Sequence, residues 1–283
     1  MSIPFLGAAE VERRLTAAEA ADALEAALRT GLDPEADPPR GAMEVERGQI
    51  LVMASPAARH PVVKLVSVGG EPRIQGVCVV FDGATLAPKA LIDGIALTNL
   101  RTSAVSALAV RHLAAPDAGR LVVFGRGPQA RAHAAALRAV RPLDRVDVVG
   151  RDRPRAEVDE LVGAADVVCC CTTSREPLFE GGLVADHATV VAIGSHEPGA
   201  RETDTTLAAR ATVVVESRGS ALREAGDVIQ AIDAGAATPE ELVTLAELVR
   251  GERAPAAGRP RLFKSTGMSW EDAVVAAALT ERA

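Results

Sequence analysis

The feature that most constrains the fold is a glycine motif between an apolar run and an alanine-rich segment. The sequence LVVFGRGPQARAHAAALRAV contains Gly125, Gly127 and Ala130 in the order G-x-G-x-x-A. This motif binds a dinucleotide when it follows a strand and opens a helix. Gly125 permits the tight turn, Gly127 lets a pyrophosphate approach the backbone, and Ala130 keeps the helix close to the sheet. The N-terminus of such a helix offers free N–H groups to phosphates.

Short valine-rich runs after this motif predict the rest of a parallel sheet. They are VDVVG, ADVVCCCT, ATVVAIGS and TVVVES, and such apolar runs are typical of parallel strands covered on both faces. The pattern predicts an α/β fold with a Rossmann dinucleotide-binding domain at residues 116–261. A plain strand, turn and helix without a ligand is the alternative for the motif alone, and the strands that follow argue against it.

The second strand of this domain predicts where the cofactor ribose lies. The strand ends at Gly150 and is followed by Arg151, Asp152 and Arg153, about 20 residues past the glycines, where the ribose is contacted. Arg151 could meet a 2′-phosphate, and Asp152 could bond a 2′-hydroxyl. NADP(H) is favoured over NAD(H), and the alternative is that both arginines are solvated surface charges.

The first part of the chain carries different patterns. Residues 8–30 show the apolar stripe of a helix, and residues 96–114 form a second helical pattern. Between them, QILVMAS, PVVKLVSV and IQGVCVVFD are strand-like runs separated by turn residues, which predict a mixed or antiparallel sheet. Near the C-terminus, Ser269 and Asp272 resemble a helix capping box.

Composition excludes several classes of partner. Aromatic residues make up 2% of the chain, and the net charge is −7 with scattered arginines, so no nucleic-acid partner is expected. No apolar run suits a signal peptide or a membrane span, which predicts a cytoplasmic protein without a membrane partner. Cys78 and the run Cys169, Cys170 and Cys171 favour buried reduced thiols over a disulfide framework or a metal site.

Several segments, in a fixed order, resemble the ornithine cyclodeaminase/mu-crystallin family over nearly the full length. They are FLGAAEV, VVKLVSV, VVFDGATLAPKALIDG, LTNLRTSAVSALA, FGRGPQARAH, AIGSHEPGARETD, EAGDVI and LFKSTGMSWEDAVVAAA. The resemblance implies a Rossmann domain inserted into an α+β domain for substrate binding and dimerisation. That second domain is expected to comprise residues 1–115, completed by residues 262–283, and the protein is expected to be a homodimer.

The resemblance also implies the position of the substrate site. Lys64 matches the active-site lysine of the family, and Arg40 and Arg101 match arginines that bind the substrate carboxylate. A planar guanidinium holds a carboxylate through two parallel hydrogen bonds, and a desolvated lysine can shift its pKa and transfer protons. Exposure to solvent is the alternative for Lys64 and Arg101 when each is considered alone.

On the same basis, the cofactor site is expected to combine the glycine loop with the ends of neighbouring strands. The ligand is expected to be NAD(P)(H). The expected cofactor-binding residues are Thr102, Gly125, Gly127, Pro128, Gln129, Ala130, Arg151, Asp152, Cys171, Thr172, Ile193, Gly194, Ser195 and Lys264.

Two departures from the family pattern bear on function. Ornithine cyclodeaminases use an Asp on the substrate amine where this chain has His196. An imidazole can transfer a proton near neutral pH, but it does not supply the full negative charge that would anchor an ammonium. His196 is therefore a candidate catalytic helper, and the alternative is a loop histidine without a catalytic part. The short segment between GRDRPR and ADVVCCC predicts that one crossover of the Rossmann domain is missing.

These observations predict an NAD(P)H-dependent reductase of a small imino acid, such as the cyclic ketimine pyrroline-2-carboxylate. Lys64 would protonate or polarise the imine nitrogen, with His196 as a helper. The alternatives are an ammonia lyase of ornithine cyclodeaminase type, an alanine- or opine-type amino-acid dehydrogenase, and a non-catalytic nucleotide-binding protein. The presence of both Lys64 and Arg101 argues against the last of these.

Overall fold

The computed structural model describes residues 3–282 and divides the chain into two compact units. The first unit comprises residues 1–105 and 268–283, and the second comprises residues 106–267. The sequence placed the corresponding boundaries near residues 115 and 262. The chain therefore passes from the first unit to the second within a long helix.

The helices account for the segments in which apolar residues recur every three or four positions. Within the described range, no helix combines the length and apolarity that a membrane crossing requires. The helices are α1 (Ala8–Arg14), α2 (Ala17–Arg29), α3 (Gly94–Leu113), α4 (Pro128–Arg138), α5 (Arg155–Gly163), α6 (Thr205–Arg210), α7 (Arg218–Glu224), α8 (Gly226–Asp233), α9 (Leu245–Arg250) and α10 (Ser269–Glu281).

A six-stranded sheet forms much of the first unit. Its strands are β1 (Phe5–Leu6), β2 (Gly41–Val45), β3 (Gly48–Ser55), β4 (Val62–Val68), β5 (Ile74–Phe81) and β6 (Pro88–Asp93). They lie in the order β1-β6-β5-β4-β3-β2. Neighbouring strands are antiparallel except for β1 and β6, which are parallel. The sheet is therefore mixed, as the sequence allowed.

One face of this sheet is covered by helices. α10 packs against β3, β4 and β5 and also against α2. Successive side chains of a strand point to opposite faces, and in β4 the inward-facing positions are Val62, Lys64 and Val66. The same alternation that buries two valines therefore places a lysine in an apolar interior.

The second unit contains a seven-stranded sheet in which all neighbouring strands are parallel. Its strand order is β12-β11-β13-β10-β9-β7-β8. The strands are β7 (Arg120–Phe124), β8 (Arg145–Val149), β9 (Val167–Cys170), β10 (Thr189–Ala192), β11 (Thr212–Val215), β12 (Val243–Thr244) and β13 (Arg261–Lys264). The valine-rich runs of β9, β10 and β11 form its buried centre, whereas β8 is partly exposed. The parallel pairing confirms the predicted sheet of a Rossmann-type domain.

The sheet of the second unit ends at β8. The chain leaves β8, passes through α5 and enters β9, which pairs with the other side of β7. Within residues 3–282, no strand lies beyond β8. The shortened crossover expected from the sequence is therefore present, and β8 is an edge strand.

Two helix predictions were wrong for reasons of capping. The first predicted helix is divided in two because Thr16 begins α2: its side chain accepts the Glu19 N–H, and Glu19 accepts the Thr16 N–H at 2.8 Å. The predicted capping box of Ser269 and Asp272 does not form, since α10 has no side-chain N-cap. Asp272 turns towards a buried lysine instead.

Candidate functional site

A buried lysine lies inside the first unit. Lys64 is on β4, and only 1% of it is exposed. Its Nζ lies 2.8 Å from both carboxylate oxygens of Asp272 on α10. The hydroxyl oxygen of Thr98, on α3, is 3.4 Å from the same nitrogen. Lys64 is therefore an interior residue and not a solvent-facing residue of an edge strand.

Arg101 joins Lys64 from α3. Its Nη1 donates to Oε2 of Glu271 at 2.7 Å, and its Nε lies 3.4 Å from Oδ1 of Asp272. Glu271 and Asp272 are fully buried, and Arg101 is nearly so. Two cations and two carboxylates thus share one interior site, because any of them buried without a partner would be strongly unfavourable. We call these four residues the charge cluster.

The charge cluster sets the proton affinity of Lys64. Burial lowers the pKa of the Lys64 ammonium, and the Arg101 charge lowers it as well, while the Asp272 carboxylate opposes both effects. A lysine with a lowered pKa releases its proton more readily than one in water. The cluster therefore combines a proton donor with a guanidinium whose charge suits a carboxylate ligand.

Sequence reasoning found Lys64 and Arg101 but missed their two counter-ions. Glu271 and Asp272 are adjacent acids in the otherwise uncharged stretch SWEDAVVAAAL. Acidic residues are almost never fully buried unless they are paired. An acidic pair in an apolar helix was therefore a signal that buried cations face it.

Arg40 lies directly before β2 and is half-buried. The preceding turn is tied to the beginning of α10, because Asp37 Oδ2 accepts the N–H of Trp270 at 2.8 Å. Asp37 Oδ1 also accepts the hydroxyl of Ser55 at 2.5 Å. The segment that carries Arg40 is thus fixed to the helix that carries Glu271 and Asp272.

In the second unit, the glycine loop joins β7 to α4. Gly125 has a φ of +112°, and a Cβ there would lie 2.6 Å from the carbonyl oxygen of Cys171, so only glycine fits. Gly127 is the N-cap of α4, and a Cβ there would meet no atom within 4 Å. Pro128 occupies the first turn, and Ala130 is buried where α4 packs on β7. This open, uncapped helix N-terminus fits the pyrophosphate of a dinucleotide.

The end of β8 brings charged groups to the expected ribose position. A Cβ at Gly150 would lie 2.4 Å from the guanidinium carbon of Arg126 and 2.6 Å from Oδ1 of Asp152. Arg126 and Asp152 form an exposed ion pair of 2.8 Å, and Arg126 lowers the pKa of Asp152. Arg151 is exposed, and Arg153 pairs with a residue of α5. Sequence reasoning missed Arg126, because it occupies a variable position of the glycine motif.

One carboxylate joins the loops that follow β9 and β10. Glu202 Oε1 accepts the N–H of Thr172 at 2.7 Å and its hydroxyl at 2.8 Å, and Oε2 accepts the N–H of Gly194 at 2.8 Å. A Cβ at Gly194 would lie 1.7 Å from the carbonyl oxygen of Thr172. Burial raises the pKa of Glu202 to about 7. The two loops therefore approach too closely for a side chain at Gly194.

Lys264 fixes the backbone of the loop after β10. It is buried at the end of β13, where its Nζ donates to the carbonyl oxygen of Ser195 at 2.8 Å and lies 3.0 Å from Oδ2 of Asp227. Ile193 and His196 lie in the same loop and are half-buried. A buried ion pair thus holds the segment that presents His196, and sequence reasoning missed its acidic member.

Comparisons with known proteins agree on one family. The model of the ornithine cyclodeaminase/mu-crystallin family matches residues 3–283. A Delta(1)-pyrroline-2-carboxylate reductase of Bacillus cereus is 32% identical over 240 residues, which cover 76% of this chain and 73% of that protein. The ketimine reductase mu-crystallin of Rattus norvegicus is 33% identical over 220 residues, which cover 72% of this chain and 68% of that protein.

A solved structure resembles the chain over almost its full length. It is the Thermococcus litoralis Delta(1)-pyrroline-2-carboxylate reductase in complex with NADH and L-proline. The TM-score is 0.90 at 28% sequence identity, and the match covers 99% of this chain and 97% of that one.

Proposed function

Because the chain belongs to the ornithine cyclodeaminase/mu-crystallin family, we propose that it is an NAD(P)H-dependent reductase of a small cyclic imino acid such as pyrroline-2-carboxylate. The observation that carries this proposal is the charge cluster, in which Lys64 is a buried ammonium beside Arg101. Two relatives are named as reductases of this substrate class, and a solved relative holds NADH and L-proline.

The first unit supplies the groups that act on the substrate. Arg101 and Arg40 would bind the substrate carboxylate, since a guanidinium matches its planar geometry. Lys64 would hydrogen-bond the imine nitrogen and give it the proton that, together with a hydride at the imine carbon, converts C=N into CH–NH. His196, in the second unit, is the candidate helper in this proton transfer. The nicotinamide, when bound, supplies the hydride that the imine carbon receives.

The second unit supplies the cofactor site. The loop from Gly125 to Ala130 would bind the pyrophosphate, and the loops with Thr172, Gly194 and Ser195 would border the nicotinamide. Further cofactor contacts are proposed for Thr102, Pro128, Gln129, Asp152, Cys171, Ile193 and Lys264. We favour NADP(H) over NAD(H), because Arg126 and Arg151 both lie near the end of β8 and attract a 2′-phosphate.

We also propose that the protein is a homodimer formed through the exposed face of the sheet in the first unit. Val52 pairs with Leu65 across β3 and β4 on this face, and Met43 and Phe5 lie on its outer strands. Their exposed fractions are 38%, 38%, 53% and 60%. Monomers rarely expose a contiguous apolar surface of this kind, whereas a two-fold axis buries such a patch against its own copy.

The test is the absorbance of reduced nicotinamide with NADPH and NADH offered separately. Pyrroline-2-carboxylate and piperideine-2-carboxylate are the substrates, and we expect an imine-dependent loss of signal that disappears in Lys64→Ala. An ammonia lyase would instead release ammonia from L-ornithine without a net change in NADH, and a dehydrogenase would form reduced cofactor from an amino acid. No loss of signal with either cofactor and either imine would overturn the proposal.

A further inference from the structure

Two cysteines and a histidine meet beside the glycine loop. Cys169 and Cys171 are two positions apart along one extended segment, so their side chains share a face, and their sulfur atoms are 3.6 Å apart. His133 approaches them from α4, which packs on β9. Ligand atoms of all three residues lie within 4.8 Å of one another. Cys169 and His133 are fully buried, and Cys171 is partly exposed.

The distance between the sulfur atoms suits a metal ion. Zinc binds thiolate sulfur at about 2.3 Å, and tetrahedral angles then place two sulfur ligands roughly 3.8 Å apart. A thiol–thiol hydrogen bond gives a similar separation, but it does not need an imidazole beside both sulfur atoms. The convergence of His133 on the cysteine pair therefore favours a ligand set of one nitrogen and two sulfur atoms.

His133 is held in the way that metal-binding histidines are held. Its Nδ1 lies 2.8 Å from the backbone carbonyl oxygen of Gln129. A carbonyl oxygen only accepts, so in the neutral imidazole Nδ1 carries the proton and Nε2 has the lone pair. The hydroxyl of Ser106 lies 3.0 Å from Nε2 and can rotate away. A backbone carbonyl behind the ring is the contact that fixes the tautomer of a ligating histidine.

We propose that His133, Cys169 and Cys171 bind one thiophilic cation of the Zn²⁺ class per chain. The fourth tetrahedral position is left to water or to the Ser106 hydroxyl. The ion enters past Cys171, the partly exposed member, and its binding releases thiol protons. Neither Lys64 nor any other member of the charge cluster takes part in this site, although Cys171 is also one of the proposed cofactor contacts.

The test uses Co²⁺ as an optical probe. Reduced, metal-free protein is titrated with Co²⁺ in oxygen-free buffer, and we expect the absorption bands of tetrahedral thiolate-bound cobalt to saturate at one ion per chain. Zn²⁺ added afterwards should remove these bands. Cys170→Ser is the matched control, since Cys170 lies between the two ligands in the same extended segment but faces the apolar core on the other side.

Cys169→Ser and Cys171→Ser should abolish the bands, and His133→Gln should weaken Co²⁺ binding by about tenfold or more. Thermal unfolding of each metal-free variant checks that it is folded, and Cys169→Ala replaces the serine variant if that one is not. The absence of tetrahedral bands in the wild-type chain would overturn the proposal. Bands that survive Cys169→Ser, or that Cys170→Ser removes, would overturn it equally.

Discussion

Lys64 and Asp272 depend on each other at the scale of single residues. An ammonium with 1% exposure is far from water, and the Asp272 carboxylate at 2.8 Å is the group that stabilises its charge. The Nε of Arg101 lies 3.4 Å from Oδ1 of the same carboxylate. The proton affinity of Lys64 therefore depends on a residue of α10, which lies more than 200 positions away in the sequence.

Asp272→Asn should reduce kcat/KM for the imine by roughly 10²–10⁴-fold. Without the carboxylate, burial and Arg101 act on Lys64 unopposed, so its pKa falls further. Because the proposed proton transfer needs the ammonium form of Lys64, the basic limb of the pH profile should move to lower pH. Asp147→Asn, which breaks an exposed pair with Arg145, is the control and should leave the profile unchanged. A basic limb that stays in place in Asp272→Asn would contradict this role.

The sequence predicts the two cations of the site, Lys64 and Arg101, but it does not predict the two carboxylates that pair with them. Lys64 and Arg101 lie in segments with a recognisable family pattern. From the sequence, Asp272 fits a capping box with Ser269 and Glu271 has no assigned role, because local capping rules use only nearby residues. Their partners lie on β4 and α3, and only the tertiary fold brings these elements together.

At the scale of elements, the loops after β9 and β10 share Glu202 as their common acceptor. Burial raises the pKa of this carboxyl to about 7 from the usual 4.5. The folded state therefore binds the Glu202 proton more tightly than the unfolded state does. Its contribution to stability is fully present below pH 4.5 and is lost as the pH rises through 7.

Glu202→Gln should flatten this part of the stability curve. The shift corresponds to roughly 3 kcal/mol between the two pH limits, while the lost bond to the Gly194 N–H costs about 1 kcal/mol at every pH. The measurement is the thermal midpoint of both proteins across this range, because other titrating groups cancel in the difference. Parallel curves for the two proteins would show that Glu202 does not titrate there.

Elements were predictable where their burial imposed a pattern. The valine-rich strands β9, β10 and β11 are buried along almost their whole length, and the sequence predicts them as parallel strands. β2 was not predicted, because all five of its residues are exposed and its sequence therefore lacks the alternation of apolar and polar residues that indicates a half-buried strand. The break between α1 and α2 was missed because the capping pair Thr16 and Glu19 lies inside a continuous helical stripe.

At the scale of the whole molecule, the apolar face of the first sheet is the proposed dimer interface, because its apolar side chains are exposed in the single chain. Val52→Lys combined with Leu65→Glu places charge on two residues that face each other across β3 and β4. We expect a dimer for the wild type and a monomer for the double variant by light scattering, because desolvating these charges in an apolar interface is unfavourable.

Val148→Lys is the matched control for this experiment. Val148 is similarly exposed, at 42%, but lies on the edge strand β8 of the other unit. The control should leave the dimer intact. A wild-type monomer, or a double variant that stays dimeric, would contradict the proposed interface.

The central claim is that this chain directs hydride to an imine carbon while Lys64 protonates the imine nitrogen. The most direct measurement uses reduced nicotinamide that carries deuterium at both C4 positions and follows the label into the product of pyrroline-2-carboxylate by mass spectrometry. We predict one deuterium on the α-carbon of the resulting cyclic amino acid, with label transfer lost in Lys64→Ala. An unlabelled product from the wild-type chain, or no cyclic amino acid at all, would contradict the account.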